Sequence, residues 1–416
     1  MKGTICLSNK EVHRARVLDR VINGQLTLKR ASELLDVTYR QAKRLKERFA
    51  QDDVAGLAHK SRGRPAANSL AEKIRSQIVT LRQEKYSDFN DTHFTEMLHE
   101  VEKIDVSRET VRKILRQAGI AAKRRRKPPK HRSRRERRSQ PGIMIQWDGS
   151  PHRWLGPDQS PCCLMAAIDD SDSKLLAAIL VPVESALAYL MLLDMVVRRH
   201  GVPLSVYQDR HSALKRNDDF WTIEEQLAGV RYPTHVGRVL QELQITAISA
   251  QSPQAKGRIE RGFGVLQDRL IAELQLHGLT DIDEANAWIE KVFIGRYNRR
   301  FAKQARKPES VFQKLPYQQR YNAITFAYEA VVANDNCVRL GGMEIDIPAT
   351  RQRRTWARAQ VLVKQHLDGA WTVWYKDQRI ARHPATELIE PIRSWKRRGK
   401  AKTAQQVYVS SKPAFG

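Results

Sequence analysis

The chain has 416 residues, 41% of them hydrophobic, which is enough to fold two to four modules and excludes a wholly disordered protein. Its 73 Lys and Arg outnumber 46 Asp and Glu, for a formal charge of +27 and a pI near 10.1, a balance that suits a polyanionic partner, nucleic acid first. Short apolar windows (175–183, and 186–197 with Asp194 inside), an opening without a signal-peptide pattern and cysteines (Cys6, Cys162, Cys163, Cys337) without C-x-x-C pairs speak against a membrane span, secretion, a disulfide framework and a cysteine-rich zinc site. A reducing bacterial cytoplasm, with nucleoid association through DNA, is the expected location.

The charge is concentrated at the ends: residues 1–140 hold 35 Lys/Arg against 17 Asp/Glu, and residues 351–400 hold 13 against 4. Basic ends around a nearly neutral centre predict DNA-gripping modules flanking a catalytic body. In residues 25–49, Leu28, Ala31, Leu34, Leu35, Val37, Ala42, Leu45 and Phe49 recur at helical spacing. Asp36 tolerates a left-handed turn and Thr38 can cap the following helix, the layout of a helix-turn-helix within a module at 1–60. Its second helix would present Arg40, Lys43, Arg44 and Lys46 to DNA; a plain helical hairpin with a solvated basic face is the alternative.

A second such module is expected at 68–120, where SRETVRKILRQAGI offers Ser107 as cap, Val111, Ile114 and Leu115 inward, and Arg108, Arg112, Lys113 and Arg116 outward. Between the modules, Arg62 and Arg64 of SRGRP could enter an A·T-rich minor groove or simply belong to a short basic linker. Residues 123–138 carry 11 Lys/Arg in 16 positions with two prolines, a solvated basic linker (121–140) that would track phosphates.

From Gly142 the texture becomes IMIQWD, CLMAAIDD and KLLAAILVPV, read as three strands, then a helix over 185–199 and a fourth strand, LSVYQD, ending at Asp209. This predicts an α/β core over 141–315. Alternating segments after about Ala330 predict a small C-terminal β-barrel at 330–395, with Trp371, Trp374 and Tyr375 as core rather than base-stacking residues, followed by a basic tail at 396–416. The expected fold is thus multidomain: all-α helix-turn-helix modules, an α/β core and a C-terminal β-barrel.

Asp148 ends the first core strand and Asp209 the fourth, so two carboxylates at neighbouring strand ends could share a divalent metal. Glu260 sits near the start of a helix whose Ile259, Phe263, Leu266 and Leu270 are inward. Three convergent carboxylates suit a pair of Mg²⁺ or Mn²⁺ ions, which prefer oxygen ligands and support phosphoryl transfer without a protein nucleophile. Asp169, Asp170 and Asp172 cluster where a hairpin turn favours Asp, a structural role. Lys256, Arg258 and Arg261 could hold DNA phosphates beside the site, and His211 could orient a phosphate or water.

The segments Asp148-Gly-Ser, Asp209-Arg-His-Ser and Ser-Pro-Gln-Ala-Lys-Gly-Arg-Ile-Glu260-Arg resemble the three DDE motifs of insertion-sequence transposases with a retroviral-integrase-like core, nearest the ISNCY group. The order of modules is also similar to that of the phage Mu transposase. The resemblance implies a ribonuclease-H-like catalytic core, with Asp148, Asp209 and Glu260 as catalytic metal ligands. It further implies cleavage at the terminal inverted repeats of a mobile element, strand transfer into double-stranded target DNA, and a homo-oligomer on the DNA. The 50 residues between Asp209 and Glu260 exceed the usual interval of many integrase relatives, about 35, which leaves Glu242 as the rival third carboxylate and residues 210–240 as an insertion. Two other functions fit parts of the pattern: a catalytically inactive DNA-binding regulator and a ribonuclease-H-like nuclease without transfer activity.

Overall fold

The computed structural model describes residues 7–59, 70–123, 135–209, 211–214, 216, 223–229, 231–249, 257–350 and 353–386. Arg62, Arg64, Lys256, most of the basic linker and the tail lie outside them. The chain divides into two compact units, Met1–Ile78 and Val79–Gly416.

The first unit holds α1 (Asn9–Ile22), α2 (Leu28–Leu34) and α3 (Tyr39–Asp52), followed by a short 3-10 turn. Asp36 adopts φ 50°, and the Thr38 hydroxyl accepts from the Gln41 amide at 3.3 Å, so the turn and cap between α2 and α3 form as their residue types dictate. Leu18, Leu45, Phe49 and Leu57 make one small core and Val17, Val21 and Ala31 another. Leu34, expected inward, is 48% exposed, while Ser32 is buried with its hydroxyl donating to the Lys29 carbonyl. A seven-residue helix is too short for its apolar spacing to define the buried face unambiguously.

α4 (Glu72–Glu84) leads into the second unit, where α5 (Asp91–Glu100) and α6 (Arg108–Gln117) form the other helical pair. The Ser107 hydroxyl caps α6 by accepting from the Thr110 amide at 3.1 Å, and Val111, Ile114 and Leu115 are buried as their spacing predicts. The main sheet contains β1 (Ile145–His152), β2 (Cys162–Asp169) and β3 (Leu175–Val181). After α7 (Ala186–Arg199) come β4 (Ser205–Gln208), α8 (Ile223–Ala228), α9 (His235–Glu242) and β5 (Thr246–Ser249). Strand order is β3-β2-β1-β4-β5; β1–β3 form an antiparallel meander, whereas β4 runs parallel to β1 and β5 parallel to β4. The C-terminal ends of β1, β3, β4 and β5 therefore share one edge of the sheet.

Alternation along β1 and β2 separates the two faces. Ile145, Trp147, Cys163, Met165 and Ala167 pack with α7, while Cys162, Leu164, Ala166 and Ile168 pack with α10 (Gly257–Leu276). Beyond α10 lie α11 (Ile282–Trp288), a π-helical turn and α12 (Ile294–Phe301). The helical pair docks here: His93 Nε2 lies 3.0 Å from Glu273 on α10, and Arg296 on α12 bridges Glu273 and Glu100, both at 2.8 Å.

After α13 (Tyr317–Ala323), the C-terminal module contains β6 (Thr325–Val331), β7 (Cys337–Leu340), β8 (Met343–Asp346), β9 (Gln360–His366), β10 (Trp371–Tyr375) and β11 (Gln378–His383). Among the described residues these form an open four-stranded sheet, β11-β10-β9-β6, and a separate β7–β8 ribbon; the ladders do not close into the expected barrel. Trp371 is fully buried and continues the core on the α7 side of the main sheet, while Trp374 and Tyr375 are half-buried.

His366 is buried in this module, its Nδ1 donating to the Tyr321 carbonyl at 3.0 Å, and burial pushes its pKa down to about 4. An unfolded histidine titrates near 6.5, so the unfolded chain takes up the proton first and stability is lost as pH falls from about 6.5 to 4. The module is expected to lose roughly 1–3 kcal/mol over that window, with His366→Gln flattening the slope in melts followed by tryptophan fluorescence. His235, also held near 4 by burial, contributes in the same direction.

Candidate active site

β1 pairs with β4 in parallel register, Ile145 with Val206 and Gln146 with Tyr207. Continuing that register by two residues sets Asp209 beside Asp148, both beyond the last β1–β4 pair and both half-buried; Asp148, expected to end its strand, instead lies within β1 opposite Ala166, because pairing with β2 carries the strand on to His152. Asp148 shares its strand face with Gln146, the face that α10 covers. Asp148 Oδ1 accepts from the Gly149 amide at 3.1 Å and Asp209 Oδ1 from the His211 amide at 2.9 Å, so neighbouring backbone amides orient both carboxylates.

Glu260 lies in the exposed first turn of α10, whose preceding residue, Ile259, is buried against the sheet. The Ile259 amide donates to Gln146 Oε1 at 3.3 Å, so the first turn of α10 lies against the strand that bears Asp148. Among the described residues no three His, Cys, Asp or Glu side chains are close enough together to hold a metal ion. Glu242 closes α9 immediately before β5, whose first residue pairs with Ser205 at the start of β4. It therefore occupies the opposite edge of the sheet, where Arg238 Nη1 donates to it at 2.6 Å and Lys364 Nζ lies 3.6 Å away.

A fourth carboxylate, not anticipated from the sequence, belongs to this edge. Glu184 follows β3; the Tyr189 hydroxyl donates to its Oε1 at 2.6 Å, and His211 Nδ1 lies 3.8 Å from the same oxygen. A Cβ on Gly149 would come within 2.5 Å of Glu184 Oε2, so the glycine after Asp148 makes room for this carboxylate. Burial, then the bond to Glu184 and the charges of Glu184, Asp209 and Asp148, push the Tyr189 hydroxyl far up and keep it a donor. Burial first and Glu184 second push the Cys163 thiol up to about 12, so it stays protonated. The signal was available in strand direction: β3 runs with β1, so its C-terminal end must reach the same edge.

Several of the basic residues are exposed to solvent. Arg40, Lys43 and Arg44 are exposed on α3, as are Arg108, Arg112 and Lys113 on α6, where Arg112 pairs with Glu109. Arg261 is exposed, its Nε donating to the Gly257 carbonyl at 2.6 Å. Arg258 departs from the expectation of a phosphate contact: its side chain is 9% exposed and pairs with the buried Asp170 at 2.6 Å. The guanidinium's charge is satisfied inside the protein.

The class defined by this geometry is a DNA-binding helix-turn-helix protein with an acidic strand-edge centre. A helix-turn-helix domain family matches residues 13–66. "Putative transposase y4bF" of Sinorhizobium fredii (strain NBRC 101917 / NGR234) is 33% identical over 396 residues, covering 91% of this chain and 84% of the relative. The transposase for insertion sequence IS1202 of Streptococcus pneumoniae is 28% identical over 356 residues, covering 76% of this chain and 73% of the relative. The chain belongs to the insertion-sequence transposases. Among solved structures, the HTLV-2 integrase catalytic core domain in complex with magnesium aligns with 36% of this chain and 88% of its own, at 17% identity and TM-score 0.26. No helix among the described residues is long and apolar enough to cross a membrane.

Proposed function

We propose that this transposase binds the terminal inverted repeats of its own element through the helix-turn-helix modules and cuts and joins DNA strands at Asp148, Asp209 and Glu260. The observation that supports this reading is the β1–β4 register, which, continued by two residues, sets Asp148 beside Asp209 on the face covered by the helix whose first turn carries Glu260. The donors are carboxylate oxygens and the nearby Cys163 stays a thiol, which fits Mg²⁺ or Mn²⁺ rather than a soft metal. Two such ions would activate the attacking water or 3′-hydroxyl and stabilise the leaving oxygen. Asp148 and Asp209 would hold them from the neighbouring strands β1 and β4, Glu260 from the helix, and Arg261 would face the phosphates from α10. The open C-terminal sheet and its ribbon would add sequence-independent grip. Two element ends call for a homo-oligomer on double-stranded DNA, at the nucleoid of a bacterial cytoplasm.

The test is nicking and joining of the DNA that flanks its own gene, with Mg²⁺ present, by Glu260→Gln and Glu242→Gln. Glu260→Gln is expected to lose activity by about 10²-fold or more, a cost of about 3 kcal/mol, and Glu242→Gln to retain it. The reverse pattern would move the third ligand to Glu242, and a wild type that binds the ends without cutting would make the chain a regulator.

A further inference from the structure

Asp170 was expected to be a turn residue, yet its carboxylate is fully buried and collects four donors from three parts of the chain. Gln146 Nε2 donates to its Oδ1 at 2.7 Å, Arg258 Nη1 at 2.6 Å, and Arg135 donates to the same oxygen. The Arg138 amide donates to Oδ2 at 2.9 Å. Arg258 Nη2 also donates to the Arg135 carbonyl at 2.7 Å, and Arg137 Nη1 reaches the Ser171 carbonyl and the Ser173 hydroxyl at 3.1 and 2.9 Å. The end of the basic linker is thus wrapped around the β2–β3 turn.

Gln146 carries the connection onward. It is fully buried, and its Oε1 accepts from the Ile259 amide at 3.3 Å, satisfying one of the N–H groups that the first turn of a helix cannot pair internally. Ile259 immediately precedes Glu260, and Gln146 lies two residues before Asp148 on the same strand face. One hydrogen-bonded chain therefore runs from the linker through Asp170 and Gln146 to the first turn of the helix that bears Glu260.

We infer that Asp170 and Gln146 are positioning residues, a clamp through which the linker segment 135–138 sets the first turn of α10 and so the placement of Glu260 relative to Asp148. The inference rests on Glu260 being the third ligand. The hydrogen bonds specify its logic: Gln146 gives the buried Asp170 carboxylate an N–H donor at 2.7 Å, and a carboxylate in its place would set two acceptor oxygens against each other with no proton between them.

Gln146→Glu would keep an acceptor for the Ile259 amide but set a carboxylate against Asp170; adding Asp170→Asn would restore one anion and one amide in exchanged places. Hydrogen exchange at amides 259–263, measured without DNA or metal, is expected to speed up about tenfold in Gln146→Glu and to return towards wild type in Gln146→Glu/Asp170→Asn. The Mg²⁺ concentration for half-maximal nicking should rise and kcat fall in the single variant, with recovery in the double and affinity for the element's end DNA unchanged in both. Arg135→Gln, at a partly exposed position, should give a milder version of the same change in exchange and Mg²⁺ dependence, and covers the case in which Gln146→Glu does not fold. Unchanged exchange in the single variants, or a double variant no better than Gln146→Glu, overturns the clamp. Faster exchange with unchanged nicking and Mg²⁺ dependence overturns Glu260 as the ligand that the clamp serves.

Discussion

Asp148→Asn and Asp209→Asn are each expected to abolish Mg²⁺-dependent strand nicking, by about 10³-fold or more, while binding to the element's end DNA stays within about twofold of wild type. A 10³-fold loss corresponds to about 4 kcal/mol of transition-state stabilisation, reasonable for removing one anionic ligand of a hard dication that offsets charge on a phosphoryl group. Asparagine preserves the size of the side chain and an oxygen that can still accept the Gly149 or His211 amide, so the loss isolates charge from local folding. Asp148 lies on a strand whose flanking Trp147 is fully buried, which makes large relaxation around the substitution costly. Gel-shift titration and a nicking assay on the same DNA measure the two quantities side by side. Retained nicking in either variant would remove that residue from the site, and loss of both nicking and end binding would point to misfolding.

The second large effect is expected in the first unit. Arg40→Ala, Lys43→Ala and Arg44→Ala combined should reduce the salt dependence of end binding by about 2–3 in the slope of log K against log salt, because each lost phosphate contact removes about 0.9. At about 0.1 M salt this amounts to roughly 10²–10³-fold in affinity. The three side chains are exposed on α3, whereas Ala42, Leu45 and Phe49 of the same helix are buried, so the substitutions spare the core. Binding isotherms at several salt concentrations give the slope directly; an unchanged slope would mean that α3 does not face the backbone of DNA.

Helix caps and periodicity were legible because they depend on residues three or four positions apart. Thr38, Ser107 and the left-handed Asp36 take the roles their chemistry favours. The limits of that reading lie where an element is short. Leu34 is exposed because α2 has only two turns, and β5 went unread because its four residues are exposed or half-buried and lack a clear apolar alternation. Trp371 is core, as its strand position suggested, but whether a β-rich module closes into a barrel depends on pairing between distant strands, and here the ladders leave the sheet open.

The local chemistry of the acidic centre can be read from the sequence, since the strands that carry Asp148 and Asp209 and the helix that carries Glu260 follow from hydrophobic patterning, although β1 runs past Asp148 to His152 instead of ending there. Which of these groups meet is decided by strand direction and order across 50 or more intervening residues. The parallel β1–β4 pairing sets Asp148 beside Asp209, and the β4–β5 pairing sends Glu242 to the far edge of the sheet. The direction of β3 brings Glu184 to the centre, and the buried carboxylate of Asp170 turns Arg258 inward from the DNA it was expected to touch. Periodicity reports which face of an element is buried, but Coulomb attraction and desolvation act through space, so the partner of each charge is known only once the chain has folded.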